Sequence, residues 1–584
     1  MPDSPYRPAE HGDDGTPAAG TPAIGTPAPV TADTALEPAD AHDATPTRAS
    51  QRADERAVTV RGSRLDDLWA RLVSTPARRR AWHWGGPILI TLLAAILRIQ
   101  SLGHPATLVF DETFYVKDAW TLLHLGYEGS WPTDPNPDFI AGQTDGYLQA
   151  PAFVAHPPLG KWIIALGLAV FGAADPAGWR IATAVVGTLA VVLLMLIARR
   201  LTGSAVVATI AGFLFAIDGH AIVMSRIALL DTHVMFFGLL GFGAILLDRT
   251  WHERRFTALL ERHRAARPDD ARPLEFGPVV LWRPWLIAAG LAFGATSSVK
   301  WSGIFFLAGF GLYVVLTDML LRRRHGLAAW FTAGAVVQGP VSFVLLVPPA
   351  IAAFLASYAG WFATSNGYFR NWAAEGANAW QGPLAWVPLS IQSLWHYLAQ
   401  QYAFNVGLDV THPYRADPRL WLLLYRPTQF YYEGYGYGES GCTIDACSAS
   451  ITSIANPIIW WLSVAAMLYL VYRLAARREW RVGLVLMGMV VGYLPWLLYV
   501  NRTVFQFYSI AFEPYLLLCL AMVLGMILGD RGDPRPRRTR GIVIVGVVLL
   551  VCALVSAFFY PLWTGQLVPT WFWRLHAWIP SGWI

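Results

Sequence analysis

From Trp84 onward the chain alternates between apolar blocks and short polar breaks. The blocks are near the ~20 residues that a helix needs to cross a hydrocarbon core. Eleven are predicted as transmembrane helices, at about 84–102, 178–198, 203–221, 231–248, 284–299, 302–321, 327–350, 455–475, 482–500, 508–529 and 541–561. A further apolar stretch at 159–174 is short for a span, its continuous run covering only 162–174. If it crossed, the arginine-dense segments 249–283, 322–324, 473–481 and 531–540 would all change sides and face outward. Basic loops are kept in the cytoplasm, so 159–174 is predicted to lie as a helix on the outer surface. The pattern predicts an all-α polytopic membrane protein with a cytoplasmic N-terminus and outer-surface helices in a first outer loop, 103–177. A second outer loop, 351–454, is larger.

Residues 1–60 are rich in Pro, Ala, Thr, Asp and Gly and nearly free of large apolar side chains. They cannot bury enough surface to fold and are predicted as a disordered cytoplasmic tail. A basic juxtamembrane segment, 61–83, with Arg78, Arg79 and Arg80, leads into the membrane domain, 84–584. No signal peptide is expected, because the first apolar run begins only near Trp84.

Composition agrees with the pattern: of 584 residues, 55% are hydrophobic and 13% aromatic. The net charge of +5 comes from arginines in loops between spans and does not argue for nucleic acid. Most of the 27 tryptophans fall near span ends, where they anchor helices at the interface. Only three lysines occur, Lys117, Lys161 and Lys300, and all three fall in outer segments; with so few, chance placement is an alternative. Cys519 and Cys552 lie within apolar spans as packing residues. Cys442 and Cys447 share the second outer loop, where a disulfide would suit an oxidising compartment. Two ligands alone are poor grounds for a metal, and His252 and His263 in the basic loop are no better.

The candidate chemistry collects in the outer segments. Asp111 and Glu112 follow the first span by about eight residues, and adjacent carboxylates at a bilayer surface are costly unless used. A carboxylate near a substrate hydroxyl can act as a general base; the competing reading is a solvated acid pair. His156-Pro157-Pro158-Leu159-Gly160-Lys161 opens the surface helix, and a helix start with His156 and Lys161 nearby suits a phosphate, or is simply a helix start with an interfacial lysine. Arg180, Arg226, Lys300 and Arg502 recur at outer ends of spans, and Arg226 is close enough in sequence to Asp231 to pair with it. Snorkelling and structural pairing are the usual fates of such cations; stabilising a leaving phosphate is the functional one. The run 434–441, GYGYGESG, has no preceding strand or following helix for nucleotide binding and is predicted as a flexible loop.

These segments together resemble the protein O-mannosyltransferase family, integral membrane glycosyltransferases of the C superfamily. The resemblance rests on Asp111-Glu112, on 156–161, on Arg180, on Ser225-Arg226-Ile227-Ala228-Leu229-Leu230-Asp231 and on Lys300-Trp301-Ser302-Gly303. The Pro/Ala-rich tail and the arginine excess are similar to actinobacterial members. The resemblance implies a glycosyltransferase C (GT-C) fold in the plasma membrane with the active site on its outer face. It implies inverting transfer of mannose from polyprenyl-phosphate-mannose to Ser or Thr of secreted or translocating proteins. In that scheme Asp111 is the base and Glu112 positions acceptor or sugar. Arg180 contacts the lipid phosphate, with Arg226 or Lys300 as helpers, and His156, Lys161, Asp231 and Arg502 complete the candidate set. No metal or other cofactor is required by these residues, and a divalent ion is left open. Eukaryotic relatives carry a β-trefoil domain in a lumenal loop, for which 351–454 is too short, so acceptor selection must differ and that loop is its candidate. A transferase moving another polyprenyl-linked sugar to a lipid or glycan would use the same residues. A transporter would place ionisable groups near the bilayer midplane and break its helices, and it ranks last.

Overall fold

The computed structural model describes residues 61–267 and 274–583; the tail expected at 1–60 lies outside the described residues. Each of the eleven expected spans is met by a helix. Among the described residues eight helices are long and apolar enough to cross a bilayer, and a bent pair makes a ninth. The first, α1 (Pro76–Ile99), is preceded by a short helix, Arg64–Leu72. That short helix is fixed by a Ser63/Asp66 capping box and by Arg538, whose Nε donates to Asp66 Oδ2 at 3.0 Å. The juxtamembrane segment is thus tied to the start of the last span.

The segment 103–177, expected as the first outer loop, holds α2 (Glu112–Leu125), a short helix Asn136–Ile140 and α3 (Leu159–Phe171). The 13 residues of α3 rise about 20 Å, short of the ~30 Å hydrocarbon core. It buries Ile164, Ala165 and Leu168 against the protein and leaves Leu166, Val170 and Phe171 exposed, as an interfacial helix does. Its partner is the next span, α4 (Pro176–Thr202). The two cross at glycines: a Cβ on Gly167 would stand 2.3 Å from the Gly178 carbonyl oxygen. This close crossing brings the start of α4, with Arg180, under the first outer loop.

The span expected at 203–221 is broken. Helix α5 (Ala205–Ile217) and helix α6 (Gly219–Arg226) meet at 59°. Asp218 sits at the break and caps α6, accepting from the His220 and Ala221 backbone N–H groups at 2.9 and 3.4 Å. The bend ends at 227–230, from which the long helix α7 (Asp231–Ala265) descends. Helices α8 (Pro284–Val299), α9 (Gly303–Arg324) and α10 (Trp330–Ser357) follow, with Lys300 in the tight turn between the first two. At the far end of this group Arg283 is buried and bridges Asp248 on α7 and Asp318 on α9, at 2.5 and 2.6 Å. The basic segment 249–283 therefore does more than orient spans: its last arginine locks two of them together.

The second outer loop is more ordered than its composition predicts. It contains α11 (Leu389–Gly407) and an antiparallel hairpin, β1 (Thr428–Gly436) and β2 (Ala446–Ser453). The run 434–441 is thus a strand end and turn rather than a free loop, and a Cys442–Cys447 disulfide lies across the turn. Alternating Thr, Phe and Tyr favour a pleated strand; the interspersed glycines hide that signal. The chain then continues through α12 (Pro457–Arg477), α13 (Trp480–Leu498), α14 (Glu513–Leu528) and α15 (Arg535–Thr564). A short strand, β3 (Val568–Pro569), joins β2 and completes a three-stranded sheet on an otherwise helical frame.

Candidate active site

Asp111 and Glu112 stand side by side in sequence and have opposite surroundings. Glu112 is fully buried. Its carboxylate accepts from Arg180 Nε and Nη2, both at 2.8 Å, from the Val109 N–H at 3.0 Å and from the Ala228 N–H at 2.8 Å. The other N–H groups of Arg180 donate to the carbonyls of Leu102, Pro105 and Thr107. One buried ion pair therefore gathers the first outer loop, α4 and the turn after α6 around Asp111.

Asp111 ends this loop at the N-terminus of α2. The Tyr115 hydroxyl, one helical turn on, donates to its Oδ2 at 3.2 Å. Burial raises the Asp111 carboxyl above the ordinary carboxylate value, against the pull of Lys300 and the Tyr115 hydrogen bond, and nearby Asp231 adds to the rise. Tyr115 is pushed well above the usual phenol value by burial and by Asp111, so it remains a donor.

Across from this pair, Lys300 Nζ donates to Asp231 Oδ2 at 2.7 Å and lies 4.7 Å from the Tyr508 ring centroid. Asp231 opens α7 and Lys300 closes α8, so the pair joins two span ends. Both line a cavity of about 300 Å³ together with His156, Trp301, Asn405 and Arg502. Arg502 is oriented by Asn405, which accepts its Nε on the backbone carbonyl and its Nη2 on Oδ1. His156 Nδ1 and Trp301 Nε1 are buried and have no hydrogen-bond partner among the described residues. Burial, then Lys300, Lys161 and Arg502, hold His156 well below the ordinary imidazole value, which keeps it neutral. The cavity thus offers two cations and two unsatisfied ring nitrogens beside a carboxylate, a set matched to a phosphate linked to a group that reacts with a hydroxyl.

The geometry revises four expectations. Glu112, expected to position acceptor or sugar, has its carboxylate engaged by four donors of the protein itself and holds the loop. Arg180 has its five N–H groups engaged and none left for a phosphate. Arg226 does not pair with Asp231; its guanidinium closes the end of α1, donating to the carbonyls of Leu97, Arg98, Gln100 and Ser101. Lys161 is buried against Glu128 at 2.5 Å and Asp118 at 3.5 Å. The structure brings Asp111, His156, Asp231, Lys300 and Arg502 together. It adds Tyr115, whose four-residue spacing from Asp111 is a legible helical signal. Tyr508 and Asn405 come from distant segments and carry no local signal. Among the described residues no cluster of three or more His, Cys, Asp or Glu side chains is placed to hold a metal.

Comparison with known proteins agrees with this architecture. The family profile for dolichyl-phosphate-mannose-protein mannosyltransferase matches residues 88–260. The profile for the C-terminal four-helix transmembrane region of protein O-mannosyltransferase matches 390–582. The polyprenol-phosphate-mannose--protein mannosyltransferase of Mycobacterium tuberculosis is 34% identical over 86% of this chain and 92% of its own. That of Corynebacterium glutamicum is 31% identical over 86% and 94%. The solved Saccharomyces cerevisiae protein O-mannosyltransferase Pmt1–Pmt2 complex, bound to its sugar donor, superposes with a TM-score of 0.62 at 14% identity, covering 90% of this chain and 95% of that one. The fold and these relatives define a membrane-embedded glycosyltransferase of the GT-C class. Within that class, the chain belongs to the protein O-mannosyltransferase family.

Proposed function

We propose that the protein transfers mannose from polyprenyl-phosphate-mannose to a Ser or Thr hydroxyl of secreted or translocating proteins, on the outer face of the plasma membrane and with inversion. Asp111, held by Tyr115 and within reach of the charge of Lys300, which lines the Lys300–Arg502 cavity, is the observation that carries this reading. The acceptor oxygen attacks the anomeric carbon, its proton passes to Asp111, and the bond from that carbon to the phosphate oxygen breaks. Polyprenyl phosphate leaves with its charge met by Lys300 and Arg502. The raised carboxyl favours proton uptake at the moment of attack. Asp231 keeps Lys300 in place, and His156 and Trp301 supply N–H donors to phosphate or sugar. The Cys442–Cys447 disulfide supports an outer, oxidising location for this end of the molecule, and the names of the mycobacterial and corynebacterial relatives support donor and acceptor class.

The test compares wild type with Asp111→Asn in membranes given polyprenyl-phosphate-mannose and a Thr/Pro-rich acceptor peptide. Transfer by wild type that is lost in Asp111→Asn, at equal expression and donor binding, supports the assignment. Transfer that survives the substitution removes Asp111 as base. Absence of transfer by wild type shifts the acceptor to a lipid or glycan.

A further inference from the structure

A second opening lies beneath the sheet. A groove of about 570 Å³ is lined by Gln100, Ser101 and His104 after α1, by Tyr435 and Ala449 on the sheet, and by Gln566 after α15. It shares no lining residue with the Lys300–Arg502 cavity. Its described walls carry amides, hydroxyls and an imidazole but no lysine, arginine, aspartate or glutamate. A phosphate-linked donor is recognised by cations, which line the other cavity, so this groove suits an uncharged occupant.

Strand β1 links the groove wall to the loop that carries Asp111. His104 stands 6.5 Å from Tyr431 on β1, ring to ring. Phe430, the preceding residue of β1, stands 5.3 Å from Phe110, the residue before Asp111. The strand that roofs the groove therefore ends beside the catalytic loop. β1 is also an outer strand, paired to β2 on one side only. Its remaining backbone donors and acceptors suit an extended chain, because strand addition recognises main chain irrespective of side-chain sequence. A transferase that needs only one hydroxyl from its acceptor gains from recognition of that kind.

We propose that this groove, flanked by the open edge of β1, holds an extended, uncharged polypeptide segment of the acceptor and delivers its hydroxyl to Asp111. The inference rests on the mannosyltransferase reading and names its acceptor subsite. The test uses full-length enzyme in membranes with polyprenyl-phosphate-mannose and two Thr peptides, one with neutral flanks and one with Lys flanks. Gln100→Glu and Gln566→Glu place a negative charge in the groove. The kcat/KM ratio of the Lys-flanked to the neutral peptide is expected to rise roughly five- to tenfold in these variants. A ratio equal to that of wild type in both variants overturns the subsite. As a second measurement, a peptide carrying a photoreactive flank is expected to label 100–104 or 428–453 in wild type, and label found only elsewhere overturns it as well. Wild type that mannosylates neither peptide defeats the functional reading itself, an outcome separate from normal transfer with an unchanged ratio.

Discussion

Two neighbouring carboxylates divide the work at the first outer loop, and their substitutions should fail in different ways. Asp111→Asn keeps the shape and the Tyr115 contact but removes the proposed base, so transfer is expected to fall about 10²–10⁴-fold. Burial raises the Asp111 carboxyl, so the folded state binds its proton more tightly than the unfolded chain does. Stability contributed through this group therefore falls as pH rises past the unfolded value. At neutral pH Asp111→Asn should then melt slightly above wild type, and a thermal shift in detergent checks this beside the lost activity. Glu112→Gln strands the buried Arg180 charge and should cost about 3–5 kcal/mol, read as a lower melting temperature and less extractable protein. Glu112→Gln combined with Arg180→Gln should recover part of that stability, a recovery that removal of a purely catalytic group would not give. The pH profile separates Lys300 from both: with Asp111 as the proposed base, transfer needs its ionised form and is expected to fall on acidification through a value above the ordinary carboxylate one. Lys300 pulls that value down, and Lys300→Gln is expected to move the acidic limb to higher pH. An unmoved limb would detach Lys300 from Asp111.

Each element near the site shows how far sequence reaches. The spans were legible because a bilayer enforces long apolar runs, and the helix at 159–171 because its apolar run stands out, its placement on the surface resting on arginine parity. Asp111, Lys300 and Arg502 were legible because charges at outer span ends are few. The break at Asp218 was hidden, since one polar residue in an apolar run changes hydropathy little while its side chain caps a new helix. The exclusion of Arg180, Arg226 and Lys161 from the cavity was also hidden, because it depends on carbonyls and acids that only the fold brings to them. The hairpin escaped notice among its glycines, and it matters for aiming the base. Phe110 holds a left-handed backbone (φ +51°), unusual for a bulky residue. Its ring sits 5.3, 5.4, 5.7 and 5.7 Å from Phe430, Phe505, Phe507 and His412. This aromatic box, contributed by β1, by the segment after α11 and by the segment before α14, fixes the turn that points Asp111. Phe430→Ala opens the box without touching the loop backbone, and kcat is expected to drop about tenfold or more, since small misplacements of a reacting group are costly. Donor KM, set in the Lys300–Arg502 cavity, is the control; a donor KM that rises with kcat unchanged would place Phe430 at the donor instead.

At the scale of the whole molecule, the fold sorts charge by end. The carboxylate, lysine and arginine of the candidate site collect where α1, α6, α8 and the second outer loop meet. The buried Arg283 bridge and the arginine-rich turns collect where α7, α9, α12 and α15 have their other ends. The positive-inside rule assigns the arginine end to the cytoplasm, in keeping with the outer-face site proposed above. Everything in this orientation depends on α3 lying along the interface, for one additional crossing would reverse every later loop. Cysteine labelling tests it directly, because Cys442 and Cys447 are bonded and Cys519 and Cys552 are buried. Glu375→Cys, exposed in the second outer loop, should react with a membrane-impermeant maleimide in intact cells. Arg254→Cys, exposed on the arginine-rich extension of α7, should react only after permeabilisation. The opposite pattern would make α3 a span and put Asp111 on the other side of the membrane from Lys300, which would overturn the site.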